Sequence, residues 1–126
     1  MVHVQVVLVR ARLIGDIPFA VDTGAERSLL GYDHADEMGV NYDRYGKPDA
    51  SIGGIGGDLD VYDEEARLTF RTSDGSTLTY ETTLQVASRA GKGIPSLLGL
   101  DVLRGFRMVF DWNTNEVALI ARLDWR

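Results

Sequence analysis

Apolar and polar residues alternate with a period of two along most of this chain. Val2, Val4, Val6 and Leu8 against His3 and Gln5 predict a first strand, and Ile17-Pro18-Phe19-Ala20-Val21 predicts a second. Glu26 to Tyr32 reads as a loop. Asp33 then predicts the cap of a short helix through Met38, with Asp36 in its first turn and Gly39 just past its end. Asn41 to Ala50, with Gly46 and Pro48, reads as a second loop. Ala66, Leu68 and Phe70 alternate with Arg67, Thr69 and Arg71 as a half-buried strand. Thr72-Ser73-Asp74-Gly75-Ser76 turns the chain at a hairpin, and Leu78, Tyr80, Leu84 and Val86 carry the returning strand. Leu100 to Arg104 is expected to be a helical turn stopped by Gly105, with Phe106, Met108, Phe110 and Trp112 following at strand spacing. Asn113-Thr114-Asn115 turns the chain into a last strand, Glu116 to Leu123. The pattern is all-β, with one or two short helices.

Composition fits one compact domain over residues 1–126, with 44% apolar residues, 25% charged residues and three prolines. No apolar run approaches the roughly 20 residues needed to span a bilayer. The first strand also lacks the basic start and small-residue cleavage site of a signal peptide, so the expected compartment is the cytoplasm, without membrane attachment. The absence of cysteine removes disulfides, thiolate nucleophiles and cysteine-ligated zinc. A net charge of −6, with Lys and Arg scattered singly, argues against nucleic acid as a partner. His3 and His34 are the only histidines and sit in no ligand-spaced cluster, so neither a metal site nor a histidine-based triad is expected. Gly91-Lys92-Gly93 lacks the flanking residues of a phosphate-binding loop and reads as a surface turn.

Three stretches remain. Phe19-Ala20-Val21-Asp22-Thr23-Gly24-Ala25 runs an apolar strand into an acidic turn, and it occurs once. A carboxylate placed there, with a twin across a two-fold axis, can share a single proton as in an aspartic peptidase. Asp-Thr-Gly alone is equally a common turn signal. Ser51-Ile52-Gly53-Gly54-Ile55-Gly56-Gly57, followed by Leu59-Asp60-Val61-Tyr62, reads as a mobile hairpin, though a glycine cluster by itself is more often a flexible loop than a lid. Ser96-Leu97-Leu98-Gly99-Leu100-Asp101-Val102-Leu103 places two leucines and a glycine before a short amphipathic turn.

In this order the three stretches resemble the retroviral-type (retropepsin-like) aspartic proteases, over roughly residues 4 to 112. The resemblance implies a closed, all-β, acid-protease half-barrel with a glycine-rich flap. It implies an aspartic endopeptidase without metal or organic cofactor, acting on peptide or protein substrates as a homodimer. Asp22 would be the catalytic residue of each chain, with Thr23 bonding across the dimer beneath the aspartates and Gly24 allowing close approach of substrate. Ala25, where pepsin-like enzymes usually carry serine, implies activity extending toward milder acidity. Ile52, Gly53, Gly54, Ile55, Gly56 and Gly57 would form the flap, while Leu97, Leu98 and Gly99 support the aspartate loop or wall the cleft. The pockets beside the cut are expected to prefer apolar residues.

Two departures qualify the match. Leu100 stands where the family commonly has an arginine tied to an acidic residue beyond the catalytic turn. Glu26 holds that acidic position, leaving Arg27 or Arg104 as alternative partners, and Asp101 is expected to begin or cap the short helix. The chain also ends in a hairpin rather than a single terminal strand. Trp112 and Trp125 are then either apolar anchors of a dimer interface or parts of the monomer core or its edge. The alternative function is a catalytically weak or inactive binding or dimerisation module on the same fold.

Overall fold

The computed structural model describes residues 1–53 and 57–122. β1 (Val2–Leu8) and β2 (Leu13–Val21) form an antiparallel hairpin, in register from Val2 opposite Phe19 to Leu8 opposite Leu13. β2 begins before the apolar run at Ile17 because Leu13 to Asp16 complete the ladder opposite Gln5 to Leu8. The turn between them contains no glycine, and Arg12 itself takes the left-handed conformation at φ 55°.

β3 (Leu29–Leu30) lies inside the stretch expected to be loop. Two residues carry no readable period, yet both leucines are buried and pair in parallel with β6 (Thr77–Ala87), at Gln85 and Val86. α1 (Tyr32–Met38) is capped by Gly31 rather than Asp33. A Cβ on Gly31 would lie 2.5 Å from the Ile94 carbonyl oxygen, so the chain passes there without a side chain. Asp33 falls in the first turn instead, where it accepts a hydrogen bond from Gly93 N–H, and Asp36 lies beyond that turn. Gly39 ends the helix at φ 100°, as expected of a C-terminal glycine.

After a 3₁₀ turn at Tyr42–Arg44, β4 (Ala50–Ile52) pairs with the start of β5 (Leu59–Arg71). β5 and β6 make the long hairpin expected around Asp74-Gly75. β7 (Leu97–Leu98) then inserts between β2, in parallel, and β3, antiparallel. β1 also pairs with β5, which closes six strands into a barrel in the order β1-β2-β7-β3-β6-β5. The alternation of β1, β5 and β6 sends Val4, Val6, Leu8, Leu68 and Leu84 into its interior with Phe19 and Leu98, all fully buried. Each such side chain contributes roughly 1.5–3 kcal/mol of burial.

α2 (Leu100–Leu103) buries Val102 and Leu103 against this core. β8 (Phe106–Asp111) and β9 (Glu116–Ala121) form a separate two-stranded sheet. Its root is held by Phe106, edge-on to Phe70 at 5.1 Å, while its tip exposes Val109, Phe110 and Trp112. Trp112 sits in the turn, 87% exposed, and is not a core residue. Leu123 and Trp125 lie outside the described residues. Among the described residues no helix is long and apolar enough to cross a membrane.

Candidate active site

Asp22 is the first residue after β2, and the barrel fixes its backbone from below. Its N–H donates to the Leu98 carbonyl at 3.0 Å, continuing the β2–β7 ladder, and Ala20 N–H donates to Ser96 at 2.9 Å. The turn then closes on the carboxylate. Ala25 N–H reaches the Asp22 carbonyl at 3.2 Å and Gly24 N–H reaches Asp22 Oδ1 at 2.9 Å. A Cβ on Gly24 would stand 3.2 Å from that same oxygen, tight enough to disturb it. Asp22 is half-buried, whereas Thr23 is exposed.

The exit of the turn is tied to α2. Leu100 N–H donates to the Ala25 carbonyl at 2.8 Å and Asp101 N–H to the Glu26 carbonyl at 3.0 Å. Gly99 permits this approach, since a Cβ there would fall 2.6 Å from the Arg27 carbonyl carbon and 2.8 Å from the Ala25 oxygen.

Neither cation expected beside Glu26 joins it. Arg27 donates to the Thr83 carbonyl at 3.0 Å and lies 3.6 Å from Asp63, and no ion pair links Glu26 to Arg27 or Arg104 among the described residues. The tie that Leu100 cannot make comes from a different pair. Ser28, fully buried, donates both its N–H (3.0 Å) and its hydroxyl (2.8 Å) to Asp101 Oδ1, and accepts from Gly99 N–H at 2.9 Å. Asp101 is thus a latch between helix and aspartate loop, while Gly99 takes the cap position. A carboxylate accepting several donors in a part-buried site makes stronger bonds than a surface ion pair.

A second tie holds the entry to β7. Ser96 Oγ, fully buried, accepts from Gly31 N–H at 2.8 Å and lies 2.7 Å from His34 Nδ1, so His34 faces inward from α1 instead of lying on an exposed helix surface. Neither this pair nor Ser28 with Asp101 is marked by spacing, because each joins residues far apart in sequence.

The turn opens onto a groove of about 750 Å³. Its lining comes from the turn and its exit (Gly24 to Arg27), from Leu29, Gln85 and Leu97 of β3, β6 and β7, and from Ser51, Ile52, Gly53, Gly57, Asp58 and Leu59 of the β4–β5 hairpin. Leu97 therefore walls the groove, while Leu98 turns into the barrel core and supports the loop through its carbonyl. Gly54, Ile55 and Gly56 lie outside the described residues. Asp74 is remote from this arrangement, at the β5–β6 turn, where hydrogen bonds from Ser76 and then Thr72 hold its carboxyl down at about 2. Among the described residues no cluster of His, Asp and Glu is arranged to hold a metal ion.

No family model and no curated protein sequence matches the chain. Solved structures do. The chain is similar to EIAV protease in an inhibitor complex, with 22% identity over 81% of this chain and 82% of that one, at a TM-score of 0.52. It is also similar to a retropepsin-like aspartic protease from Rickettsia conorii, with 18% identity over 93% and 79% of the two chains, at a TM-score of 0.56. The barrel, the buttressed Asp22 turn and the hairpin-lined groove are accordingly those of a chain with the retropepsin-like fold.

Proposed function

We propose that two copies of this chain form an aspartic endopeptidase, with Asp22 of each contributing one half of the catalytic pair. The observation that carries this reading is the fixed turn: Asp22 is held by Leu98, Gly24 and the α2 latch beside a groove large enough for an extended peptide. Two carboxylates a few ångströms apart cannot both ionise easily, so they share one proton. The ionised member takes a proton from water as its oxygen attacks the scissile carbonyl carbon. The protonated member hydrogen-bonds to the carbonyl oxygen as charge develops there. Collapse of the tetrahedral intermediate breaks the C–N bond, the amine leaves with a proton, and no covalent intermediate forms. Thr23, exposed in the single chain, would face the partner beneath the aspartates, and the β4–β5 hairpin would pair its backbone with the peptide.

Ser28 and Asp101 replace the tie whose absence would favour a non-cleaving module, so the peptidase reading is preferred. The test is cleavage of a mixed peptide library from acid to neutral pH by the wild-type chain and by Asp22→Asn. The expected result is a loss of at least about 10³-fold in the variant, with folding and dimerisation intact. Equal activity in the two proteins would sink the mechanism, and no cleavage by a well-folded dimer at any pH would leave the binding module.

A further inference from the structure

Gln85 is only 6% exposed, yet it lines the groove. No hydrogen bond to its side-chain amide occurs among the described residues. The strand alternation of β6 explains this. Leu84 and Val86 pack into the barrel interior, so Gln85 and Ala87 face the opposite side, where Ala87 joins Leu29 and Val61 in a second apolar cluster. Gln85 stands opposite Asp63 on β5, and Asp63 lies 3.6 Å from Arg27. The amide of this largely buried residue is therefore open to the groove rather than to another part of the chain, and a bound group that excludes water from it must replace the hydrogen bonds water makes.

We propose that Gln85 is a specificity-determining residue whose amide receives a polar, uncharged side chain, a carboxamide foremost, from an extended peptide in the groove. A carboxamide offers both a donor and an acceptor, the complement of what Gln85 presents. Gln85 carries no charge to compensate an ionised side chain taken out of water, and the Arg27 guanidinium on the groove is already directed to Asp63 at 3.6 Å, so a neutral side chain loses least on entering. An aliphatic side chain would close the amide off from water with nothing to bond, and a site built to hydrogen-bond rejects an analogue that cannot. Gln85 thus adds a polar subsite beside Leu29, Leu59 and Leu97, where apolar pockets were expected beside the cut. The inference rests on reading the groove as a peptide cleft.

The test measures binding separately from cleavage. Fluorescent peptides are scanned with Asn, Gln, Asp, Lys and Leu at each position in turn, and their anisotropy is followed with the Asp22→Asn chain carrying either Gln85 or Gln85→Leu. With Gln85, one position is expected to favour Asn or Gln over Leu by about tenfold or more. With Gln85→Leu the order at that position reverses while the others keep theirs. If the leucine variant does not fold, Gln85→Glu preserves the shape, and the favoured residue there becomes Lys. Identical rankings with and without Gln85, a preference for Asp, or no binding to the folded protein at millimolar peptide would each overturn the proposal. Selective binding without cleavage by the chain that retains Asp22 would leave the proposal standing and remove the peptidase.

Discussion

A methyl group at Gly99 would meet the backbone of Arg27 and Ala25 at 2.6–2.8 Å, and backbone cannot rotate out of the way as a side chain can. Gly99→Ala is therefore expected to cost about 2 kcal/mol or more, read from the midpoint of a denaturant titration. An unchanged midpoint would mean that α2 can leave the aspartate turn freely. This glycine could be singled out in the sequence, as could Asp22 and Gly24, because each lies in a short contiguous stretch with a readable pattern, although the backbone that requires Gly99 is that of the distant Ala25 and Arg27. Ser28 and Asp101 could not. Their bond depends on a barrel that brings residue 28 to residue 101, and Asp101 looks in sequence like any acidic residue in the first turn of a helix. Gln85 was hidden for a similar reason, since alternation predicts which way it points but not that a groove lies there.

Between α1 and β5 four tyrosines pack together, with Tyr45 stacked on Tyr62 at 4.2 Å and Tyr42 edge-on to Tyr45 at 5.6 Å. Burial first, and then the hydrogen bond from its hydroxyl to Glu64, push the ionisation of Tyr45 well above the usual tyrosine range, and burial does the same for Tyr42. In the unfolded chain these phenols lose their protons near pH ~10, while in the fold they keep them. The unfolded state then binds fewer protons, so stability is full below that pH and falls as pH rises further. Tyr45→Phe is expected to flatten this alkaline fall while lowering stability at neutral pH by about 1–3 kcal/mol, because Glu64 loses its partner. Thermal unfolding at pH 7 and above pH 10 would check both signs, and parallel curves for the two proteins would refute the assignment. The long elements around this cluster were legible through alternation and through Asp74-Gly75. The two-residue strands β3 and β7 were too short to show a period, and the β1–β2 turn carried no glycine because Arg12 adopts the left-handed conformation itself.

At the scale of the whole molecule, the β8–β9 hairpin stands apart from the barrel sheet and is mostly exposed. Isolated two-stranded sheets are marginal in water, and this one presents Val109 and Phe110, each more than 40% exposed, beside Trp112. In the dimer of the proposed function it would supply part of the contact between copies, with Trp112 as an apolar anchor. Phe110→Asp, at an exposed site, is expected to leave the unfolding of the monomer nearly unchanged while weakening self-association about tenfold or more. Sedimentation over a concentration series would measure this, and an unaffected dimer would place the interface elsewhere. The closed barrel was legible only as a class, because its closure depends on pairings between distant segments. The most distant of these is the insertion of β7 between β2 and β3. The two strands that flank the Asp22 turn are made early and wait, with unpaired edges, for a piece of chain made late. Pairing across such a separation is slow to form. During synthesis Asp22 therefore emerges from the ribosome before the strand that will support it. The order of translation postpones the final shape of the Asp22 turn until Leu97 and Leu98 have emerged and paired with β2.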